Sequence, residues 1–190
     1  MTATPMRMLL SFAIVALFQT AVLAYMVADR VRLLASGREI TLPVTPVDPR
    51  DLFRGEYARL SYDVASVPLR LLEGPPPRAN AAFYVVLEKR SDGVWQAAKV
   101  AREPPREASP DRIVLKALMT YPWPKGGSTE TVRVRYGIES YFVPEGQGRK
   151  LEALAREKRL ATLIAVDARG NAAIKGIVVD GVLQYEEQLF

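Results

Sequence analysis

Between residues 8 and 28 the chain reads MLLSFAIVALFQTAVLAYMVA without one charged side chain, and this run constrains the fold more than any other feature. A helix needs roughly 20 predominantly apolar residues to cross a hydrocarbon layer about 30 Å thick. Ser11, Gln19 and Thr20 are its only strongly polar side chains and form no continuous stripe, so the polar face that a soluble core helix carries is missing. The expectation is a retained membrane anchor. Its competitors are a cleaved signal peptide, with Val22 and Ala24 as small residues at the cleavage position, and a buried helix of a soluble domain. Orientation is ambiguous, because Arg7 precedes the run while Arg30, Arg32 and Arg38 follow it with Asp29 and Glu39 between them. A simple arginine count would hold the following domain in the cytoplasm.

Of the 190 residues, about 155 remain beyond the anchor, enough for one domain with its own core. The expected division is an anchor over residues 1–33 and a single domain over residues 34–190. Neither cysteine nor histidine occurs. Their absence excludes disulfides, thiolate nucleophiles, zinc and iron–sulfur sites built on cysteine, and every histidine-dependent triad or metal centre. Catalysis would have to run on Ser, Thr, Lys, Tyr, Asp or Glu, so the chain reads as a non-enzyme sooner than an enzyme, and no cofactor is called for. The net charge of +5 is spread among acidic residues, which suits solubility or an anionic membrane surface better than nucleic acid.

From Arg38 the pattern alternates. Ile40, Leu42 and Val44 share a face, and Pro43, Pro46 and Pro49 put that strand at an edge or end it. After the turn-like DPRDLFRG, the segment EYARLSYDV reads as one strand with Ala58, Leu60, Tyr62 and Val64 towards the core and Tyr57, Arg59, Ser61 and Asp63 away from it. Further strands are expected over 81–89 and 94–101, joined through Ser91-Asp92-Gly93 as a hairpin, then over 112–121, 130–143, 161–167 and 172–179, with a short run after Asp180-Gly181. Residues 149–158 form the one convincing helix of the domain, with Leu151, Leu154 and Ala155 on a common face. The fold class is therefore mainly β: an antiparallel sandwich or small irregular barrel with one helix, preceded by a transmembrane helix.

Two blocks stand out. GEYARLSY at 55–62 resembles the signature of the GDYXXLXY family of bacterial membrane-anchored proteins: Gly55, Tyr57, Leu60 and Tyr62 fit, and Glu56 replaces the aspartate. VDPRDLFRGEY at 47–57 and YGIESYFVPEG at 136–146 extend the resemblance, which covers essentially the whole chain. It implies no established activity. It does imply a single-pass protein of the inner, cytoplasmic membrane with its domain outside the cytoplasm, and association with a multi-span membrane protein.

The motif block offers Asp48, Arg50, Asp51, Arg54, Gly55, Glu56, Tyr57, Arg59, Leu60 and Tyr62 as candidate binding residues. The same residues read blandly as a turn, with carboxylates accepting from turn amides or pairing with the arginines. An oxygen-only calcium site from Asp48, Asp51, Glu56 and Glu145 does not have the spacing of an EF-hand, so no metal site is assigned. The second block offers Tyr141, Phe142, Pro144, Glu145, Gly146 and Gly148, either as a loop capping the helix or as a peptide- or anion-binding corner helped by Arg149 and Lys150.

The functional expectation is a non-catalytic tethered domain that binds or stabilises a membrane-protein partner, without nucleic acid. Its alternatives are a Ser/Lys hydrolase on a scaffold like that of membrane-bound signal peptidases, for which Lys89, Lys99 and Lys116 lack a recognisable serine partner, and a small-ligand or glycan binder using Tyr57, Tyr62 and Tyr141.

Overall fold

The structure is a computed structural model describing residues 3–45, 57–72, 81–105, 109–119, 131–142 and 147–186. Helix α1 (Ala3–Ser36) is followed by β1 (Arg38–Pro43), β2 (Tyr57–Arg59), β3 (Ser66–Pro68), β4 (Ala82–Lys89), β5 (Trp95–Ala101), β6 (Arg112–Leu118), β7 (Thr131–Arg133), β8 (Ser140–Phe142), α2 (Gln147–Arg156), β9 (Leu160–Val166), β10 (Ala172–Val179) and β11 (Val182–Glu186). Every strand pair is antiparallel: a four-stranded sheet β1-β9-β10-β11, a three-stranded sheet β5-β4-β6, and two ribbons, β2-β8 and β3-β7. Single bridges stitch them together, Thr45 to Ser61 between β1 and β2, Leu118 to Arg135 between β6 and β7, and Leu72 to Val100 beside β5. These contacts join the sheets around one core, and the described strands do not close a barrel.

That core draws on both sheets and both ribbons, with Leu42, Tyr62, Val67, Phe83, Val85, Leu87, Leu115 and Ile164 fully enclosed. Alternation explains the selection: Ile40, Leu42 and Val44 point inward from β1, and Leu160, Thr162, Ile164 and Val166 do so from β9. Helix α2 contributes Ala155, with Leu151 and Leu154 half-buried beside it. The β4–β5 hairpin forms where SDG lies. Gly93 takes φ +84°, Asp92 accepts from the Val94 amide at 3.1 Å, and Arg90 exchanges hydrogen bonds with Val94 and Gly93 at 2.9 Å.

Two expected strands are broken. The segment from Tyr57 leaves the ladder at Arg59, bridges Thr45 at Ser61, and tightens into a 3-10 turn over Asp63–Ala65. Ser61 is consequently buried, although it belongs to the expected outward set. The run over 130–143 divides into β7 and β8 because Gly137 adopts φ +84° and the Glu139 carboxylate folds back onto the amides of Tyr136 at 2.5 Å and Gly137 at 3.0 Å. Period-two alternation survives such a break, so periodicity alone does not reveal it.

Helix α1 runs past the apolar segment. Residues 6–27 stand clear of the domain, which excludes a buried core helix, and by length and composition α1 can cross a membrane. Its last turns belong to the domain: Leu33 and Leu34 pack on Ala165 and Ala173 on the outer face of the four-stranded sheet, and Asp29 pairs with Arg169 at 2.9 Å. Gly37 makes this turn feasible, since a Cβ there would lie 2.6 Å from the Leu33 carbonyl oxygen and 2.8 Å from the Val166 nitrogen.

Arg169 follows Asp167 in the β9–β10 turn. Partial burial opposes ionisation of Asp167, but hydrogen bonds from the Asn171 side chain and from the Asn171 and Arg169 amides outweigh it and lower its pKa below the ordinary value. A depressed folded-state pKa contributes stability above the unfolded-state value and loses it as pH falls through the folded one. The parent should therefore lose stability below about pH 4 more steeply than Asp167→Ala, in thermal melts across that range. Parallel curves would mean the turn contributes nothing through this charge.

Candidate functional site

The two sequence blocks meet. In the β2–β8 ribbon Tyr57 lies opposite Phe142, Ala58 opposite Tyr141 and Arg59 opposite Ser140, and the Leu60 amide donates to the Glu139 carbonyl at 2.9 Å. Segments some eighty positions apart in sequence thus form one ribbon, with α2 packed behind β2 and β9. The sequence singled out both blocks but held no signal for their pairing, because antiparallel partners are chosen by tertiary packing and not by local pattern.

Beneath the ribbon lies a hydrogen-bonded tyrosine pair. The Tyr62 hydroxyl donates to the Ile138 carbonyl at 3.0 Å and accepts from Thr162 Oγ1 at 3.2 Å, while the Tyr136 hydroxyl donates to the Val64 carbonyl at 2.7 Å. Burial raises both phenol pKa values, with the nearby Glu139 charge adding to the rise, so both rings stay neutral donors. Each hydroxyl ties the motif segment to the 134–139 loop. Tyr136, Glu139 and Thr162 are the members that sequence reading missed. The available signal was the tyrosine opening YGIES and a threonine on the inward face of an otherwise apolar strand.

The candidate residues now sort by position. Leu60 and Tyr62 are 4% and 1% exposed and form the framework under the ribbon. Arg59 projects outward from β2 and has an interaction partner within the chain. The backbones of Tyr57 and Phe142 pair in the ribbon, and Gly148 lies in the first turn of α2. Tyr141 is buried, with the Tyr185 ring of β11 edge-on at a centroid distance of 6.2 Å. Asp48, Arg50, Asp51, Arg54, Gly55, Glu56, Pro144, Glu145 and Gly146 lie outside the described residues.

Chemistry is sparse in what is described. No group of three or more carboxylates with metal-ligand geometry occurs among the described residues. The Lys89 ammonium sits 6.0 Å from the Trp95 ring centroid, and Lys116 is exposed on β6. Arg159 is held by Asp180 at 2.5–3.1 Å and by Glu157 at 2.9 Å, and Lys175 by Glu39 and Glu186 at 2.6 and 3.3 Å. These pairs staple strand ends and the outer sheet face, and with Arg159, Glu157, Asp180, Glu39 and Glu186 exposed they contribute little each.

Among known proteins, the profile of the family described as GDYXXLXY protein matches residues 19–177. No curated protein and no solved structure matches the chain.

Proposed function

The chain belongs to the GDYXXLXY family, and from that premise we propose that it is a membrane-tethered, non-catalytic β domain that binds or stabilises a membrane-protein partner. The observation that carries this reading is the joint between α1 and the sheet. Leu33 and Leu34 on Ala165 and Ala173, the Asp29–Arg169 pair and the close turn at Gly37 leave no loose linker. An anchor continuous with the fold presents one face of the domain to whatever shares the bilayer, and confinement to two dimensions raises the effective concentration of that neighbour.

We place the domain on the extracytoplasmic side of a bacterial inner membrane, as a single-pass protein. Arg38, which an arginine count assigns to the membrane flank, is engaged by the domain: its guanidinium donates to the carbonyls of Ser109, Pro110 and Arg112 at 2.7–2.9 Å. Discounting it narrows the excess that would retain the domain inside.

Because the chain has no cysteine, one introduced thiol reports the side. Lys158→Cys, on the exposed turn after α2, should react in intact cells with a maleimide that cannot cross the inner membrane. Labelling that needs lysis would put the domain in the cytoplasm. Recognition is tested by detergent extraction at native abundance. Arg54→Ala and Glu56→Ala should diminish the co-purifying membrane protein while the melting temperature stays nearly fixed, because a substitution that removes no packing contact changes stability by only about 0.5 kcal/mol. A coupled loss of stability in the double variant would make the pair a turn clamp instead.

A further inference from the structure

The polar side chains of the apolar segment differ in how they are satisfied. Ser11 and Thr20 donate to the carbonyls of Arg7 and Ala16 in their own helix, each at 2.9 Å. A carboxamide has two donors and an acceptor and does not complete them within its own helix. Among the described residues none is a hydrogen-bond partner of Gln19. Gln19 lies one residue from the centre of the uncharged run, where no water is available to it. An amide left there marks a contact with another transmembrane element.

The fold limits which element fits. At about 100° per residue, Leu33 and Leu34 lie about 40° to one side and 60° to the other of the Gln19 direction, so the β domain overhangs the Gln19 face about 21 Å further along the axis. Two copies meeting face to face at Gln19 would drive both domains onto the same two-fold axis. A helix that ends at the membrane surface, joined there by a short loop, fits beneath the overhang. We infer that Gln19 hydrogen-bonds a polar group on a transmembrane helix of a multi-span partner, which the β domain covers from above. This names the contact residue for the partner proposed above and rests on that reading.

The test uses the full chain in native membranes, with single-cysteine variants carrying a benzophenone maleimide. Ala16→Cys and Val22→Cys flank Gln19, about 60° to either side, whereas Leu17→Cys and Ala21→Cys lie on the opposite face. Irradiation should give one discrete heavier adduct from the first two positions and none from the last two. Adding Gln19→Leu should cut its yield about five-fold, the effect of one interhelical hydrogen bond, while Gln19→Asn retains much of it. An adduct of twice the chain mass, equal yields on all faces, or indifference to Gln19→Leu would each overturn the inference. Carbonate extraction separates the premise: Gln19→Leu makes the helix more apolar, so release of the variants into the soluble fraction would defeat the anchoring reading itself.

Discussion

Leu60→Asp should unfold the domain. Leu60 is 4% exposed inside the main core, and its amide holds the Glu139 carbonyl at 2.9 Å, so a carboxylate there enters an apolar site. Burying an unpaired charge costs several kcal/mol, on the scale of a whole domain's stability of about 5–15 kcal/mol. The expected result is loss of the near-ultraviolet circular dichroism signal and of cooperative melting. A variant melting within a degree or two of the parent would mean that the motif leucine lies outside the working core.

Gly37→Ala should loosen the joint between anchor and domain. Both close contacts of the added Cβ are backbone atoms, Leu33 O at 2.6 Å and Val166 N at 2.8 Å, and the next is the Ala165 Cβ at 3.1 Å, so no flexible side chain can yield. Relief requires the helix end to move off the sheet, at a cost of about 1–3 kcal/mol. The thiol of Leu33→Cys, buried in the parent geometry, should react several-fold faster with maleimide when Gly37→Ala is added. Unchanged reactivity would show that the joint tolerates displacement and does not set the domain's orientation.

The signature residues matter here more for architecture than for reactivity. Tyr62 binds the Ile138 carbonyl and meets Thr162, Leu60 binds Glu139, and the ribbon pairs Arg59 with Ser140. Leu60 and Tyr62, just past the end of the short ribbon, and Tyr136, hydrogen-bonded to the Val64 carbonyl, describe a folding device that holds the two blocks together. Arg59, exposed on β2, is the described residue of this segment that faces away from that framework.

Local chemistry was enough for much of this protein. The uncharged run specifies an apolar helix long enough to cross a bilayer, and SDG specifies the β4–β5 hairpin because Gly93 relieves the positive φ that its turn requires. Alternation put Ile40, Leu42, Leu60 and Tyr62 inside, and helical spacing put Leu151, Leu154 and Ala155 on one face. Tertiary structure decided what depends on distant partners. Glu139 and Gly137 divide an apparently continuous strand, and Ser61 is buried because Thr45 bridges it. Nothing in a helix of apolar residues says that Leu33 and Leu34 at its far end pack on Ala165 and Ala173. Periodicity records which way each side chain points, whereas pairing and docking are settled by contacts between segments that the sequence holds far apart.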